Sequence, residues 1–287
     1  MRQSIRISLA TLLLLLPALL LAEPQMEASY ASSVRYWTET QGPSLQVHST
    51  SAIPSRSEPK LLVLLYHNVV FGRTGNVYNR DLYNFEHDLA FIKRNFAITN
   101  FKEVLTGTNP GKSDQAIITF DDGDLSLYAI VFPLFKAYEL EATIFLVPSY
   151  VGEVGYMSWN QIREMSNYRT ADGKKLFSFE SHSQTHRMMG ELSEEEIVAE
   201  LRESKQIIER EIGEPVTILA LPFGSGAGDE RIISAAYDLG YQAIRTSKPE
   251  AIPLSKVNPW MIGAMNVENY SSDVLVQNVL ALLGKRT

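Results

Sequence analysis

The sequence predicts an α/β protein built on a sheet of parallel strands. Short apolar segments alternate with longer amphipathic ones from about residue 60 onward, and this alternation is typical of strand–helix units that form a parallel sheet. One segment, residues 116–120, is too short and too rich in β-branched residues for a helix, so it predicts a buried strand. An aspartate pair follows it directly, at the edge of a parallel sheet where ligands bind. The alternation leaves open whether the sheet is open or closed into a barrel.

The predicted strands are short, apolar segments, several of them bounded by turn residues. Most are rich in valine, isoleucine, leucine or phenylalanine, as expected for strands that are buried on both faces. They are expected at residues 61–65, 116–120, 142–147, 177–180, 216–221 and 241–244.

The predicted helices follow from apolar residues at helical spacing and from capping residues. Ser193 and Glu196 form a capping box for a helix that runs to Ile212 and ends at Gly213. Pro133 must kink the helix around it or mark that helix's true start. The other helices are expected near residues 84–95, 127–138, 229–240 and 272–283, and a further one begins at Trp159.

Two adjacent carboxylates, Asp121 and Asp122, follow the strand at residues 116–120 and precede Gly123. Neighbouring residues at a strand end point to different sides, so one carboxylate can face a metal while the other faces water or substrate. Asp-Asp-Gly is also ordinary turn chemistry, and that interpretation would hold for the string alone. The preceding strand and a histidine pair downstream favour a functional site.

His182 and His186 are four residues apart, so a helical turn would place both imidazoles on one face. With Asp122 they would form a set of two imidazoles and one carboxylate that leaves coordination positions open for water and substrate. The chain has no cysteine, which excludes a thiolate zinc site. A divalent ion on such ligands lowers the pKa of bound water from ~15.7 towards ~7 and polarises a carbonyl oxygen. The set therefore predicts a metal-dependent hydrolase.

These strings resemble the motifs of the polysaccharide deacetylases, carbohydrate esterase family 4, whose catalytic unit is the NodB homology domain. The similarity runs from about Leu61 to about Leu283. Thr119–Gly123 matches the first motif, in which the family uses the first aspartate, here Asp121, as base and the second as metal ligand. His182–His186 matches the second motif, His-Ser/Thr-x-x-His. The resemblance implies an α/β fold of NodB-homology type, a distorted (β/α) barrel with parallel strands and fewer than eight regular ones.

Two further strings extend the resemblance. Pro222, Phe223 and Gly224 correspond to a third motif, a Pro-aromatic-Gly turn. In the family a backbone N–H of this turn faces the tetrahedral intermediate, so Phe223 would offer an oxyanion donor through its main chain. The string at residues 66–69, Tyr-His-Asn-Val, resembles one found in the subgroup that includes the poly-N-acetylglucosamine deacetylases of biofilms.

The chain departs from the family pattern at two places. Ala220 stands where the third motif often has an arginine that orients the catalytic aspartate, and residues 258–266 lack the histidine that often protonates the leaving amine. General acid catalysis is typically worth ~10²–10⁴ in rate, so His67 is the candidate substitute, although a core histidine bonded to backbone is the competing interpretation. Trp159 and Trp260 are candidates for stacking on sugar rings, or else pack in the core.

The resemblance implies an enzyme that removes N-acetyl groups from an N-acetylated polysaccharide and releases acetate. The polymer would be chitin-like, poly-N-acetylglucosamine or peptidoglycan glycan. One divalent metal ion is the expected cofactor, zinc first, with cobalt, nickel and iron as alternatives. Two other functions stay open at this point. One is an O-acetyl esterase acting on a glycan such as acetylxylan, and the other is a carbohydrate-binding relative with weak or no turnover.

The N-terminal residues predict export of the protein. Residues 1–22 carry Arg2 and Arg6 before a leucine-rich stretch, which predicts a signal peptide or an N-terminal anchor that would tether the protein to a membrane. Residues 23–59 are expected to form a linker or irregular arm, and residues 60–287 the catalytic domain. The location would be periplasm, cell envelope or extracellular space. A net charge of −7 argues against nucleic acid as a partner and suits neutral or cationic glycans.

Overall fold

The computed structural model describes residues 58–108 and 112–285 of the chain. The predicted signal or anchor at residues 1–22 and nearly all of the predicted linker at residues 23–59 lie outside this part. Within the described ranges no helix combines the length and the apolarity that crossing a membrane requires.

A single ten-stranded sheet forms the centre of the fold, and a small two-stranded sheet, β2 with β3, lies apart from it. The strands are β1 (Lys60–Tyr66), β2 (Asn68–Val70), β3 (Asn79–Asp81), β4 (Ala97–Ile98), β5 (Gln115–Phe120), β6 (Ala142–Leu146), β7 (Phe177–Ser181), β8 (Ile218–Ala220), β9 (Ala243–Thr246), β10 (Ala251–Pro253), β11 (Ile262–Gly263) and β12 (Met265–Asn266).

The large sheet is nearly closed into a barrel. Its strand order is β10-β1-β5-β6-β7-β8-β9-β11, and among the described strands only β10 runs antiparallel to its neighbour. Ile262 and Gly263 pair with β9, whereas Met265 and Asn266, two residues further on, pair with β1. One short segment therefore links the two ends of the sheet. The predicted α/β fold with a distorted, mostly parallel barrel is confirmed.

Helices cover the outside of the sheet and largely follow the predicted spans. Pro133 lies in the first turn of a helix, where its missing N–H costs no hydrogen bond, and a π-helical turn at Leu127–Val131 precedes it. The capping box of Ser193 and Glu196 is present. The helices are α1 (Leu82–Asn95), α2 (Phe101–Thr106), α3 (Phe132–Tyr138), α4 (Trp159–Asn167), α5 (Glu194–Ile212), α6 (Glu230–Asp238) and α7 (Ser272–Leu283).

Two strands differ from their predicted bounds, and hydrogen bonds to Glu180 explain the first difference. The segment expected at residues 216–221 forms a strand only over Ile218–Ala220. The backbone N–H groups of Thr217 and Ile218 donate to the buried carboxylate of Glu180, at 2.7 and 2.8 Å, instead of to a neighbouring strand. The strand expected at residues 241–244 is displaced to 243–246.

A buried ion pair anchors the end of β1. Arg80 and Asp88 are both buried, and their side chains meet at 2.6 Å (Nη2–Oδ1) and 2.7 Å (Nε–Oδ2). Asp88 also accepts hydrogen bonds from the hydroxyls of Tyr66 (3.2 Å) and Ser272 (2.8 Å). These bonds tie α1 to the beginning of α7 and to the last residue of β1. The residue that follows Tyr66 is His67, so the pair fixes the backbone from which that imidazole extends.

Candidate active site

Six of the predicted site residues follow four different strands and line one cavity of about 560 Å³. Parallel strands end at the same rim of a barrel, so loops that follow them converge there. His67 follows β1, the aspartate pair follows β5, the histidine pair follows β7, and Phe223 follows β8. The cavity wall includes His67, Asp121, Asp122, His182, His186 and Phe223.

A left-handed turn separates the two aspartate side chains. The N–H of Asp121 still donates to the Tyr66 carbonyl of β1 at 2.9 Å, so this residue keeps the direction of the strand. Asp122 then has φ 72° and Gly123 φ 84°. Aspartate tolerates this conformation better than most residues. At Gly123 an added Cβ would lie only 3.0 Å from Leu146 Cδ2, which favours glycine there.

The two histidines lie on an irregular loop and not on a helix, so the predicted helical turn is wrong. Ser183 and His186 both have positive φ values, 61° and 60°. Each such residue costs roughly 1–2 kcal/mol. The left-handed residues bend the loop back on itself, the N–H of His186 donates to Ser183 Oγ at 3.1 Å, and the imidazole centroids of His182 and His186 lie 4.8 Å apart.

Asp122, His182 and His186 form a group that could hold one metal ion. Their nearest ligand atoms all lie within 4.8 Å of one another. Asp122 Oδ1 is 3.3 Å from His186 Nε2 and 3.7 Å from His182 Nε2. That oxygen is buried and has no hydrogen-bond partner among the described residues. An orphaned carboxylate oxygen facing two imidazole nitrogens fits a divalent cation.

Burial and one hydrogen bond prepare His182 to act as a ligand. Its Nδ1 lies 2.9 Å from the carbonyl oxygen of Ala220 and donates to it. Burial lowers the pKa of His182 to about 3, so the imidazole is neutral at pH 7. Because Nδ1 carries the proton, Nε2 keeps its lone pair, and this atom lies 3.7 Å from Asp122 Oδ1 and 3.5 Å from Asp121 Oδ2. Burial lowers the pKa of His186 as well.

Sequence reasoning missed Arg245, which lies on β9 and is fully buried. Its Nη2 donates to both oxygens of Asp121, to Oδ2 at 2.5 Å, and its guanidinium stacks on the ring of Phe145 at 4.9 Å. In the sheet Arg245 is the register partner of Ala220 on β8. The arginine that the family motif would place at position 220 thus comes from the opposite position on the next strand. An arginine within an apolar strand near its carboxyl end was the signal available in the sequence.

The charge of Arg245 influences the protonation of Asp121 and Asp122. Burial alone would raise the pKa of Asp121, but the positive charge of Arg245, with that of His182 when protonated, holds it below its ordinary value. Asp121 is therefore ionised at neutral pH. The stability it contributes is present above about pH 4 and is lost as the pH falls through its folded-state pKa. For Asp122, burial and the neighbouring charge of Asp121 raise the pKa to about 6.

His67 lines the cavity on the β1 side. Its Nδ1 is buried without a hydrogen-bond partner in the described ranges, and its ring packs against Tyr78 with a centroid separation of 4.6 Å. When protonated, the imidazole lowers the pKa of both Asp121 and Asp122, so its charge acts on the aspartate pair. The structure thus places His67 where a proton donor to a bound substrate could stand.

The turn after β8 brings Phe223 to the cavity. Phe223 has φ 57°, and its ring lies 4.6 Å from that of His186 with 60% of the residue exposed. Pro222 is buried beneath the turn, and Gly224, at φ 68°, lies where a Cβ would come within 3.2 Å of Ser247. Neither Pro222 nor Gly224 lines the cavity.

The two tryptophans named as sugar-stacking candidates lie elsewhere. Trp159 is the first residue of α4, and Trp260 packs near Tyr237 with a ring separation of 6.1 Å. Neither belongs to the cavity wall. The cavity wall instead includes Tyr78 before β3, Tyr156 after β6 and Phe223 after β8. The sequence shows the segments that carry them only as loops.

Comparison with known proteins finds one family. Residues 108–244 match the model of the family described as polysaccharide deacetylase. The provisionally named polysaccharide deacetylase YxkH of Bacillus subtilis (strain 168) is 28% identical over 207 residues, which cover 70% of this chain and 70% of that protein. The poly-beta-1,6-N-acetyl-D-glucosamine N-deacetylase of Staphylococcus aureus (strain MRSA252) is 27% identical over 201 residues, covering 58% of this chain and 66% of the relative.

Two solved structures illustrate the shared fold. Streptococcus pyogenes deacetylase PplD, in complex with acetate, aligns with a TM-score of 0.67 at 19% identity over 77% of this chain and 99% of that one. IcaB from Ammonifex degensii aligns with a TM-score of 0.64 at 21% identity over 78% and 97% of the two chains. At such identities the likeness shows a shared fold.

We expect Arg245→Met to raise the pKa of Asp121 above its ordinary value and to lower the free energy of unfolding by about 3–5 kcal/mol, because the buried carboxylate loses its partner. Urea unfolding at pH 7 and a carbon-13 NMR titration of the Asp121 carboxyl measure the two effects. Arg163→Met is the control, since Arg163 is partly exposed in its pair with Glu211 and should change stability by less than ~1 kcal/mol. An unchanged pKa of Asp121 in the Arg245 variant contradicts the assignment.

Proposed function

From the match of residues 108–244 to the polysaccharide deacetylase family and the geometry of the cavity, we propose that the chain belongs to this family and is a metal-dependent hydrolase that removes N-acetyl groups from a glycan and releases acetate. The observation that carries the proposal is the group of Asp122, His182 and His186 with the ionised Asp121 beside it. Asp121 Oδ2 lies 3.5 Å from His182 Nε2, so base and ligands share one small volume.

Asp122, His182 and His186 would hold a divalent cation, zinc first, with cobalt, nickel or iron as alternatives. Bound there, the cation would supply Lewis acidity towards the acetyl carbonyl and would make water a better nucleophile at neutral pH. The donor set suits this use because three protein ligands leave coordination positions open.

The residues of the chain perform the remaining steps. Asp121, kept ionised and oriented by Arg245, accepts a proton from the attacking water. The backbone N–H of Phe223 stabilises the negative charge that develops on the carbonyl oxygen. His67 donates a proton to the leaving nitrogen, and acetate and a free amine result. Each group lines the same cavity, apart from Arg245, which acts through Asp121.

We propose poly-N-acetylglucosamine or a related N-acetylated polysaccharide as the substrate, with chitin-like and peptidoglycan glycans as the other members of that class. Support comes from the similarity to the staphylococcal enzyme and from the Tyr-His-Asn-Val string at residues 66–69. The proposed location is outside the cytoplasm, in periplasm, cell envelope or extracellular space, with membrane tethering through residues 1–22 as part of the same proposal. A net charge of −7 suits a glycan that gains positive amines.

Two alternative functions make predictions different from those of an N-deacetylase. An O-acetyl esterase would use the same groups but depend less on His67, because an alkoxide leaves more readily than an amine. The second alternative is a carbohydrate-binding relative without turnover, which is suggested by Ala220 in place of an arginine and by the lack of a histidine in residues 258–266. The contact of Arg245 with Asp121 and the place of His67 in the cavity weigh against that hypothesis.

Asp121→Asn should reduce acetate release from poly-N-acetylglucosamine oligomers by about 10²–10⁴, because the variant cannot accept the proton of the attacking water. Its metal content should stay that of the unchanged protein, and stripping the metal with a chelator should abolish acetate release until zinc or cobalt is returned. Asp238→Asn, at an exposed position in α6, is the matched control and should keep full activity. Full activity of the Asp121 variant, or of the stripped protein, contradicts the proposal.

His67→Asn tests the leaving-group step. We expect acetate release from an N-acetylated oligosaccharide to fall by up to ~10²–10⁴, and release from acetylxylan to fall much less, because only the amine needs protonation to leave. His87→Asn, on α1 and outside the cavity, should leave both rates unchanged. An equal loss on both substrates would show that His67 holds structure and does not act as the acid.

A further inference from the structure

One buried carboxylate holds the loop that separates the two histidines. Glu200 lies on α5, outside the cavity wall, and is only 7% exposed. Its Oε2 accepts hydrogen bonds from the backbone N–H groups of Gln184 and Thr185, both at 2.8 Å. Its Oε1 accepts a hydrogen bond from the hydroxyl of Thr185. A single side chain therefore binds two of the three residues between the histidines through three donors.

The loop needs such a support because its own conformation is unfavourable. It belongs to no helix or strand, and Ser183 and His186 both adopt left-handed backbone angles. Consecutive backbone N–H groups that point to one side form a concave site for an anion. In this chain the anion is the carboxylate of Glu200. The bonds to Gln184 and Thr185 thus stabilise the bend that turns His186 back towards His182.

The helix that carries Glu200, α5, is docked on the rest of the fold. α5 begins at a capping box and is held by two buried hydrogen bonds, one to the end of β7 and one to the segment before β9. Ser204 bonds to Ser181, the last residue of β7, at 2.8 Å, and the hydroxyl of Tyr241 donates to the Leu201 carbonyl at 2.9 Å. A carboxylate carried by a docked helix holds a loop more precisely in place than another loop could.

We propose that Glu200 is a positioning residue that sets the separation and orientation of the His182 and His186 imidazoles before a cation binds. This inference rests on the proposed metal site. Without the carboxylate the loop samples other conformations, and the two ring nitrogens are no longer held together near Asp122. Binding a cation must then restore the loop geometry at the expense of affinity.

The test uses the full-length protein stripped of metal, with cobalt and zinc as probes. Glu200→Ala should weaken the dissociation constant, measured by competition with a chromophoric chelator, by about 10–100-fold. Glu200→Gln should bind metal nearly as well as the unchanged protein, because its amide oxygen can accept the same two N–H bonds. Amide hydrogen exchange in the metal-free protein should be fast at Gln184 and Thr185 in the alanine variant and slow in the glutamine variant.

Two controls separate loop positioning from general weakening of the helix. Glu203→Ala removes an exposed carboxylate from the same helix, and Tyr241→Phe removes a bond that docks α5 while leaving the loop acceptor in place. Both should bind cobalt as the unchanged protein does. If the alanine variant does not fold, Glu200→Asp replaces it, since a shorter carboxylate cannot reach both amides and should also weaken binding.

Two results would overturn the proposal. One is an alanine or aspartate variant that keeps the cobalt affinity and the amide protection of the unchanged protein. The other is a Tyr241→Phe variant that loses affinity as much as the Glu200 variant. Failure of the unchanged protein to bind any metal would contradict the proposed function instead, and amide exchange at Gln184 and Thr185 would still decide whether Glu200 holds the loop.

Discussion

The parallel direction of the barrel strands is the constraint on which the whole site depends. Because β1, β5, β7 and β8 all point the same way, the residues that follow them emerge at one rim. Chain positions as distant as 67, 121, 182 and 223 thereby line a single cavity. The segment carrying β11 and β12 pairs with both β9 and β1 and so keeps that rim nearly closed. A strand reversed in this group would carry its functional side chains to the opposite end of the barrel.

Within that frame, electrostatics assigns different roles to two neighbouring carboxylates. Asp121 faces the buried guanidinium of Arg245 and stays ionised, whereas Asp122 faces two neutral imidazoles and has its pKa raised to about 6. Buried charges are tolerated only when they are paired or bind a metal. Arg245 satisfies this condition for Asp121. Asp122 Oδ1 finds no such partner among the described residues, and this is the physical reason to assign it to a cation.

The sequence predicted the sheet and the candidate site residues that the structure brings together, because both depend on local patterns. Apolar runs gave the strands, the capping box of Ser193 and Glu196 gave the beginning of α5, and the two aspartates and two histidines meet in the structure as one cluster. The spacing of four residues between His182 and His186 would suit a helical turn, but two left-handed residues bring the same two rings together without a helix.

The partners of Arg245 and Glu200 could not be assigned from the sequence for a different reason. Each of these two residues acts across the fold, over 124 positions to Asp121 in one case and over 15 or 16 positions to the histidine loop in the other. Their importance depends on strand register and helix docking, which no local pattern specifies. The register partner of Ala220 is a clear example, since the missing arginine is recovered only once β8 and β9 are paired. Trp159 and Trp260 were candidates on residue type alone, and neither of them lines the cavity.

The most direct test of the account is an anomalous diffraction measurement on crystals of the protein grown with zinc. We expect one strong peak at about 2.0–2.2 Å from Asp122, His182 and His186, with Asp121 adjacent and still bonded to Arg245. A map with no peak between these three side chains, or with the ion bound by other residues, would contradict the central claim that they share one cation.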